Sequence, residues 1–273
     1  MSAKKIVALL TIRNEALYLK KCLEHLIHEG IFVYLIDNES TDNSREIGEA
    51  YRDRGVIGVE TLKYPGYFDL TAILKNEERL AREIKADWFI HHDADEIRQA
   101  AAPYPTLLGG IEAADQAGYN AVNFDEFVFL PTSTQESFEG TDYSEAMKYY
   151  YFFAPKPLRR VNAWKNTGQS IDLHSSAGHE IQFKERRIFP ANFILRHYMV
   201  LSAAHAIQKY HGKIYSPREV DVLAWHGSRP FFEPEKLHFT AAEKLKKLRV
   251  DGEWDRSEPR LTHEFFGELS PCH

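Results

Sequence analysis

Residues 87–97 read DWFIHHDADEI, an apolar run that ends in a cluster of acids. Trp88-Phe89-Ile90 is β-prone, and the helical pattern before it, Leu70 to Lys85, makes a helix-then-strand unit of the kind that builds parallel sheets. In such sheets ligands collect outside the carboxyl ends of the strands, which is where Asp93, Asp95 and Glu96 fall. Carboxylates this close repel one another unless a cation lies between them, and oxygen donors suit Mg²⁺ or Mn²⁺. Asp-x-Asp by itself is also a common solvated turn. Its position at the mouth of a buried strand favours a site that receives a metal-bound phosphate.

Working outward, Lys5 to Thr11 reads as a first strand, and Asn14 to His28 as a helix carrying Leu17, Leu19, Leu23, Leu26 and Ile27, stopped by Gly30. Ile31 to Ile36 is a second strand, Asn43 to Arg54 a helix behind the polar stretch 37–42, and Val56 to Leu62 a third strand. This alternation predicts an α/β, Rossmann-like fold, with a mostly parallel central sheet and helices on both faces. No Gly-x-Gly-x-x-Gly follows the first strand and no Gly-Lys-Ser/Thr loop occurs, which disfavours dinucleotide cofactors and P-loop chemistry. Thr11, Arg13 and Asn14 lead from strand to helix, where backbone N–H groups favour a phosphate or ribose oxygen. Asp37 leaves the next strand and can accept from a base N–H or a ribose hydroxyl. Asn14 and Asp42 also have a simpler reading as helix caps.

Beyond Asp95 the pattern changes. A helix is expected at Thr106 to Ala117, strands at Ala121 to Leu130, Ile181 to Phe183 and Phe193 to His197, and a helix at Ser202 to Lys213. Residues 131–156, rich in Ser, Thr, Glu and Tyr, are expected to be a long irregular segment, and the chain after Phe231 a peripheral tail. The domain plan is then 1–230, with a nucleotide half (1–97) and an acceptor half (98–230), followed by a tail over 231–273. Of the 273 residues, 44% are hydrophobic and 27% charged, the balance of a soluble enzyme. No run is long enough to span a bilayer and no signal peptide opens the sequence. A net charge of −6 argues against nucleic acid as partner. The basic cluster Lys244 to Arg249 reads first as an exposed helix face, second as a contact for acidic acceptors or lipid headgroups at the inner face of a membrane. With Cys22 and Cys272 as the only cysteines, a reducing cytoplasmic setting is expected.

TIRNEALYLKKCLEHLIHEG, LIDNESTDNS and DWFIHHDADEI, in this order and at these separations, resemble the family 2 glycosyltransferases of the GT-A fold. The stretches 160–165, Ala177-Gly178-His179-Glu180, Leu195-Arg196-His197-Tyr198 and Ala224-Trp225-His226-Gly227 resemble a bacterial subgroup with late His-Tyr and Trp-His elements. The resemblance implies that Thr11 and Arg13 line the nucleotide and Asp37 reads its base. Arg13 stands where many relatives have Tyr. Lys75-Asn76 is similar to an Arg-Asn pair near the diphosphate, with Lys losing the bidentate fork. Asp93 would contact ribose or a metal-bound water, Asp95 would ligate the metal, and His197 is placed like a third metal or diphosphate contact.

Departure of a nucleoside diphosphate needs charge stabilisation, which a divalent ion supplies, and inverting transfer needs a base for the acceptor hydroxyl. Glu180 is ranked first for that base, ahead of Asp172 and His179, because small residues before it allow close approach. Tyr149 to Phe153 and Trp164 could stack on sugar rings, although half of such a run normally faces the core. Asp125-Glu126 is a second acidic pair for sugar hydroxyls. The expected activity is a metal-dependent, inverting transfer from a nucleotide sugar, UDP-linked first, to a surface-polysaccharide or glycolipid acceptor. A sugar nucleotidyltransferase and a non-catalytic carbohydrate-binding protein are the alternatives.

Overall fold

The computed structural model describes residues 3–154, 160–227, 229–249 and 252–263. Cys272 lies outside them. The chain begins with β1 (Ile6–Ile12), α1 (Ala16–His28), β2 (Phe32–Asp37), α2 (Ser44–Ala50), β3 (Val56–Thr61), α3 (Leu70–Glu83), β4 (Trp88–His92) and β5 (Glu96–Gln99). It continues with α4 (Leu107–Gln116), β6 (Ala121–Phe129), α5 (Tyr143–Ala146), β7 (Tyr149–Phe153), β8 (Val161–Lys165), β9 (Phe193–Tyr198), α6 (Ala203–Tyr210), α7 (Pro217–Asp221) and β10 (Lys246–Lys247). Two compact units divide it. The first comprises residues 1–64, 70–125 and 159–195, and the second 65–69, 126–158 and 196–273. Two of the divisions, 125/126 and 195/196, fall inside β6 and β9.

In the first unit the strand order is β6-β8-β4-β1-β2-β3. β1 pairs in parallel with β2 and β4, and β2 with β3, while β8 runs antiparallel to β4 and β6. β1 and β4 are inner strands, buried on both faces, so their sequences are near-continuous apolar runs. α1 buries Tyr18, Leu19, Cys22, Leu23 and Leu26, one stripe at helical spacing. Gly48 of α2 lets helix and strand meet closely, since a Cβ there would lie 2.1 Å from Leu35 Cδ2. The Thr106 hydroxyl accepts from the Gly109 N–H and caps α4. Trp164 is 1% exposed and packs 5.9 Å from Phe89, so it belongs to the core and not to a sugar platform.

The second unit carries the other half of β6, where residues 126–129 pair antiparallel with β7, and β7 pairs with β10. The stretch expected to be irregular over 131–156 therefore holds a short helix and a strand. Tyr150, Tyr151 and Phe153 of that strand are buried. The tail is not peripheral throughout: Trp254 stacks 4.4 Å from Phe127 and edge-on to Tyr150 at 5.4 Å. The basic cluster 244–249 is not a helix face either. It runs from a one-turn 3₁₀ segment, Ala242–Lys244, into β10 and lines a cavity of about 730 Å³ together with Trp254 and Arg260. No helix among the described residues is long and apolar enough to cross a membrane.

Candidate active site at the switch between β1 and β4

The chain proceeds outward from β1 through β2 to β3, then returns to the other side of β1 as β4, so the strand order reverses between β1 and β4. Crevices at such reversals, beyond the carboxyl strand ends, are where open α/β sheets bind ligands. Register pairs Leu10 with His92 and Ile12 with Asp37. Thr11 to Asn14, Asp37 and Asp93 to Asp95 thus share one edge of the first unit.

On the β1 side, Arg13 lies 3.5 Å over the Tyr64 ring and its Nη1 donates to the carbonyls of Asn38, at 2.6 Å, and Glu39. The ring and the two carbonyls together hold the guanidinium in place. Asn14 has φ +58 and accepts from the Thr41 N–H at 2.7 Å. Asp37, 3% exposed, accepts from the Ser40 N–H at 3.0 Å and pairs with Arg45 at 3.3 Å. The N–H groups at the start of α1 do not await a phosphate: Asn14, Glu15 and Ala16 donate to Ser40, Ser44 and Asp42. The polar stretch 37–42 brings its own oxygens to them, which the expectation of open donors overlooked.

On the β4 side, Asp93 is exposed and Asp95 is 8% exposed, on the turn between β4 and β5. Glu96 is taken up internally: its Oε2 accepts from Arg98 Nη2 at 2.6 Å and from the Asp93 N–H at 3.3 Å. Arg98 Nε also donates to His92 Nδ1 at 3.1 Å. Burial, then the charges of Arg98, His25 and His91, press the His92 pKa well below its usual value, so the ring is neutral. Cys22 is buried beneath, and burial, reinforced by Glu96, Asp95 and Asp93, pushes its thiol pKa well up. It is not a nucleophile.

Beneath the β1 side sits a pair that sequence reasoning missed. Glu77, wholly buried in α3, accepts from Thr11 Oγ1 at 2.9 Å and His91 Nδ1 at 2.7 Å. Burial opposes a charged His91, but the Glu77 carboxylate outweighs it and the pKa rises to about 9. The signal was the spacing Ile73, Leu74, Glu77, Glu78, Leu80, Ala81, which puts two acids on the buried stripe of α3. Asn76, expected at the diphosphate, donates to Glu60 at 2.6 Å, and Lys75 is exposed.

The segment 172–180 packs on the same unit. Ala177 and Gly178 are both left-handed, and a Cβ on Gly178 would lie 3.0 Å from His91 Nε2. Ile181 to Phe183 is not a strand, having only isolated bridges of Glu180 to Val161 and Gln182 to Asp172. Glu180 is 9% exposed and paired with Arg186 at 2.5 Å, and His179 Nδ1 lies 2.6 Å from Arg160. Burial raises the Asp172 carboxyl, yet hydrogen bonds from Ser175 and the neighbouring His174 bring it below its ordinary value. Asp125 accepts from Asn192 at 2.9 Å. In the second unit, His197 Nδ1 lies 2.7 Å from Glu126, which is 1% exposed.

Residues 8–100 match the family model described as Glycosyl transferase family 2. No curated protein matches the chain. Among solved structures, Staphylococcus aureus TarS aligns at 12% identity and TM-score 0.40, over 83% of this chain and 43% of its own. Its 1–349 fragment in complex with UDP-GlcNAc aligns at 11% identity and TM-score 0.41, over 85% and 74%. Glucosyl-3-phosphoglycerate synthase from Mycobacterium tuberculosis, in complex with Mn²⁺, UDP and phosphoglyceric acid, aligns at 18% identity and TM-score 0.32, over 46% and 43%. The chain thus spans less than half the length of full TarS. The family match takes in the residues from Thr11 to Asp95 and covers about a third of the chain, which over that stretch resembles the family 2 glycosyltransferases.

Proposed function

We propose that the chain transfers a sugar, with inversion, from a nucleotide-diphosphate donor to a hydroxyl of a surface-polysaccharide or glycolipid acceptor, and that the donor is a UDP-sugar bound with Mn²⁺ or Mg²⁺. The observation that carries this reading is the pairing of β1 with β4 and β2, which sets Thr11 to Asn14, Asp37 and the acids Asp93 and Asp95 along one edge, on either side of the strand reversal.

The donor set suits such an ion. Mg²⁺ and Mn²⁺ are commonly held by one or two carboxylates, with substrate phosphates completing the shell. Glu96 is neutralised by Arg98, so Asp95 is proposed as the direct ligand and Asp93 as the contact to a metal-bound water or the ribose. His197 is proposed as a further metal or diphosphate contact, because an imidazole whose Nδ1–H is held by a carboxylate is the form that ligates metals through Nε2. The ion, when bound, supplies Lewis-acid stabilisation of the departing diphosphate.

The chain's own residues do the rest. Thr11, fixed by Glu77, and Arg13, held over Tyr64, position the nucleotide, with Asn14 shaping the turn they occupy. Asp37 keeps acceptor lone pairs for a base N–H, its orientation set by Ser40 and Arg45. Lys75 offers a point charge toward phosphate, and Asn76 is proposed to steady the same helix face. Glu180 is the proposed general base, ahead of Asp172 and His179. Arg186 orients its carboxylate through their ion pair. Basic residues of 244–249 are proposed contacts for an acidic acceptor or a lipid headgroup.

Calorimetric titration with UDP, GDP and CDP, each with Mn²⁺ and with chelator, tests the donor assignment. UDP should bind with Mn²⁺ and fail with chelator. Equal binding in both conditions would remove the metal from the account.

A further inference from the structure

Glu77 and Glu78 are neighbours on α3 and serve different structures. Glu77 turns to Thr11 and His91, whereas Glu78 reaches the turn that carries Asp172 and His174. His174 Nδ1 lies 2.9 Å from Glu78 Oε1 and 3.2 Å from an Asp172 oxygen. One donor atom from each of the three residues lies within 4.8 Å of the other two, the sole such group of three among the described residues. A ring nitrogen carries one proton at most, so two carboxylates converging on a single Nδ1 are more than one N–H can satisfy.

The spacing is that of a metal's ligand shell. Zn–N and Zn–O bonds of about 2.0–2.2 Å in a tetrahedral arrangement put neighbouring donor atoms roughly 3.3 Å apart. The ligands are also held from behind. Glu78 Oε1 accepts from the backbone N–H groups of Leu173, at 2.7 Å, and His174, at 3.0 Å. Asp172 Oδ1 accepts from the Ser175 N–H at 3.0 Å. Hydrogen bonds of this kind orient ligands and fix their geometry. Glu78 is buried, while Asp172 and His174 are half-buried, so the group is open to solvent on their side.

We propose that Glu78, Asp172 and His174 bind a Zn²⁺ ion that pins the 172–180 segment to α3, a site separate from Asp93 and Asp95. The imidazole selects Zn²⁺ over Mg²⁺ and Ca²⁺, which prefer all-oxygen shells. Binding through Nδ1 leaves the ring proton on Nε2, and protons compete with the metal for the ligand atoms. In this assignment Asp172 is a ligand, and the role of base falls to its neighbours in the segment.

The test uses the full chain, loaded with Zn²⁺, desalted, and assayed for metal by plasma emission. Co²⁺ in place of Zn²⁺ gives a visible absorption as a second readout. The wild type and Asp95→Ala should each retain one equivalent at this site, and His174→Ala and Glu78→Gln should lose it along with the Co²⁺ band. Should Glu78→Gln fail to fold, His174→Ala decides alone, because it leaves the backbone bonds to Glu78 in place. Mn²⁺-dependent UDP binding, measured on the same His174→Ala protein, should be unchanged, so failure of the donor assignment is read separately. Zinc retention by His174→Ala equal to wild type, or loss of zinc only with Asp95→Ala, would overturn the proposal.

Discussion

The edge formed by β1, β2 and β4 and the segment 172–180 both carry proposed functional residues of the first unit, and they are built on opposite principles. The edge is the end of a parallel sheet: Thr11, Asp37 and Asp93 are placed by strand register, over a core of Val7, Leu9, Ile36 and Phe89. The segment has no ladder. It is held by the Glu78 carboxylate on its backbone, by the left-handed pair Ala177 and Gly178 against His91, and by the Arg186–Glu180 ion pair. A sheet edge tolerates the loss of a single contact because each strand is fixed by its neighbours. The segment rests on a few charged anchors, so single substitutions there should tell more.

Glu180→Gln breaks the comparison most sharply. It should lower transfer by roughly 10²–10⁴-fold, the usual contribution of a general base, with donor binding intact, as judged by single-turnover rates beside calorimetry. Normal transfer would send the base elsewhere.

Next in size is Glu77. His91, raised to about 9, contributes stability that is complete below its unfolded pKa and lost as pH rises through the folded value. Over that window, from near 6.5 to near 9, metal-free protein in chelator should lose about 3 kcal/mol of unfolding free energy. Glu77→Gln should flatten the slope in urea titrations at several pH values, and an unchanged slope would deny the pair.

Gly178→Ala should cost about 1–2 kcal/mol for the left-handed backbone alone, and more if His91 cannot yield to the added Cβ. It sharpens the comparison when set beside Gly48→Ala on the sheet side, where overpacking against Leu35 costs about 1–3 kcal/mol. Thermal unfolding beside transfer assays should show Gly178→Ala lowering stability and slowing transfer, and Gly48→Ala lowering stability alone. The smallest effect belongs to the partly exposed Arg45–Asp37 pair: Arg45→Met should change stability by less than about 1 kcal/mol.

Much of this contrast was legible in the residues. β1 and β4 are continuous apolar runs, and Asp93 and Asp95 follow directly on β4. The alternation of strands and helices predicts the parallel sheet, while the reversal of strand order at β1 and β4 is seen only in the fold. What stayed hidden depends on long-range partners. Glu77 and His91 look like a surface acid and a strand histidine until α3 is laid on the sheet. Ile181 to Phe183 has strand composition but no continuous neighbour, with Gly178 and Glu185 in left-handed conformations on either side. Tyr149 to Phe153 was obscured by its polar flanks, and Trp254 by the charged tail around it. His174 drew no notice, because its partner Glu78 is 96 residues away.

The measurement that bears most directly on the central claim is UDP binding by Asp95→Ala in the presence of Mn²⁺, with turnover of a UDP-sugar followed in parallel. Metal-dependent binding and turnover should both be abolished, while the variant melts like the wild type. Turnover that survives Asp95→Ala would contradict the assignment of the β4 edge as the metal and diphosphate site.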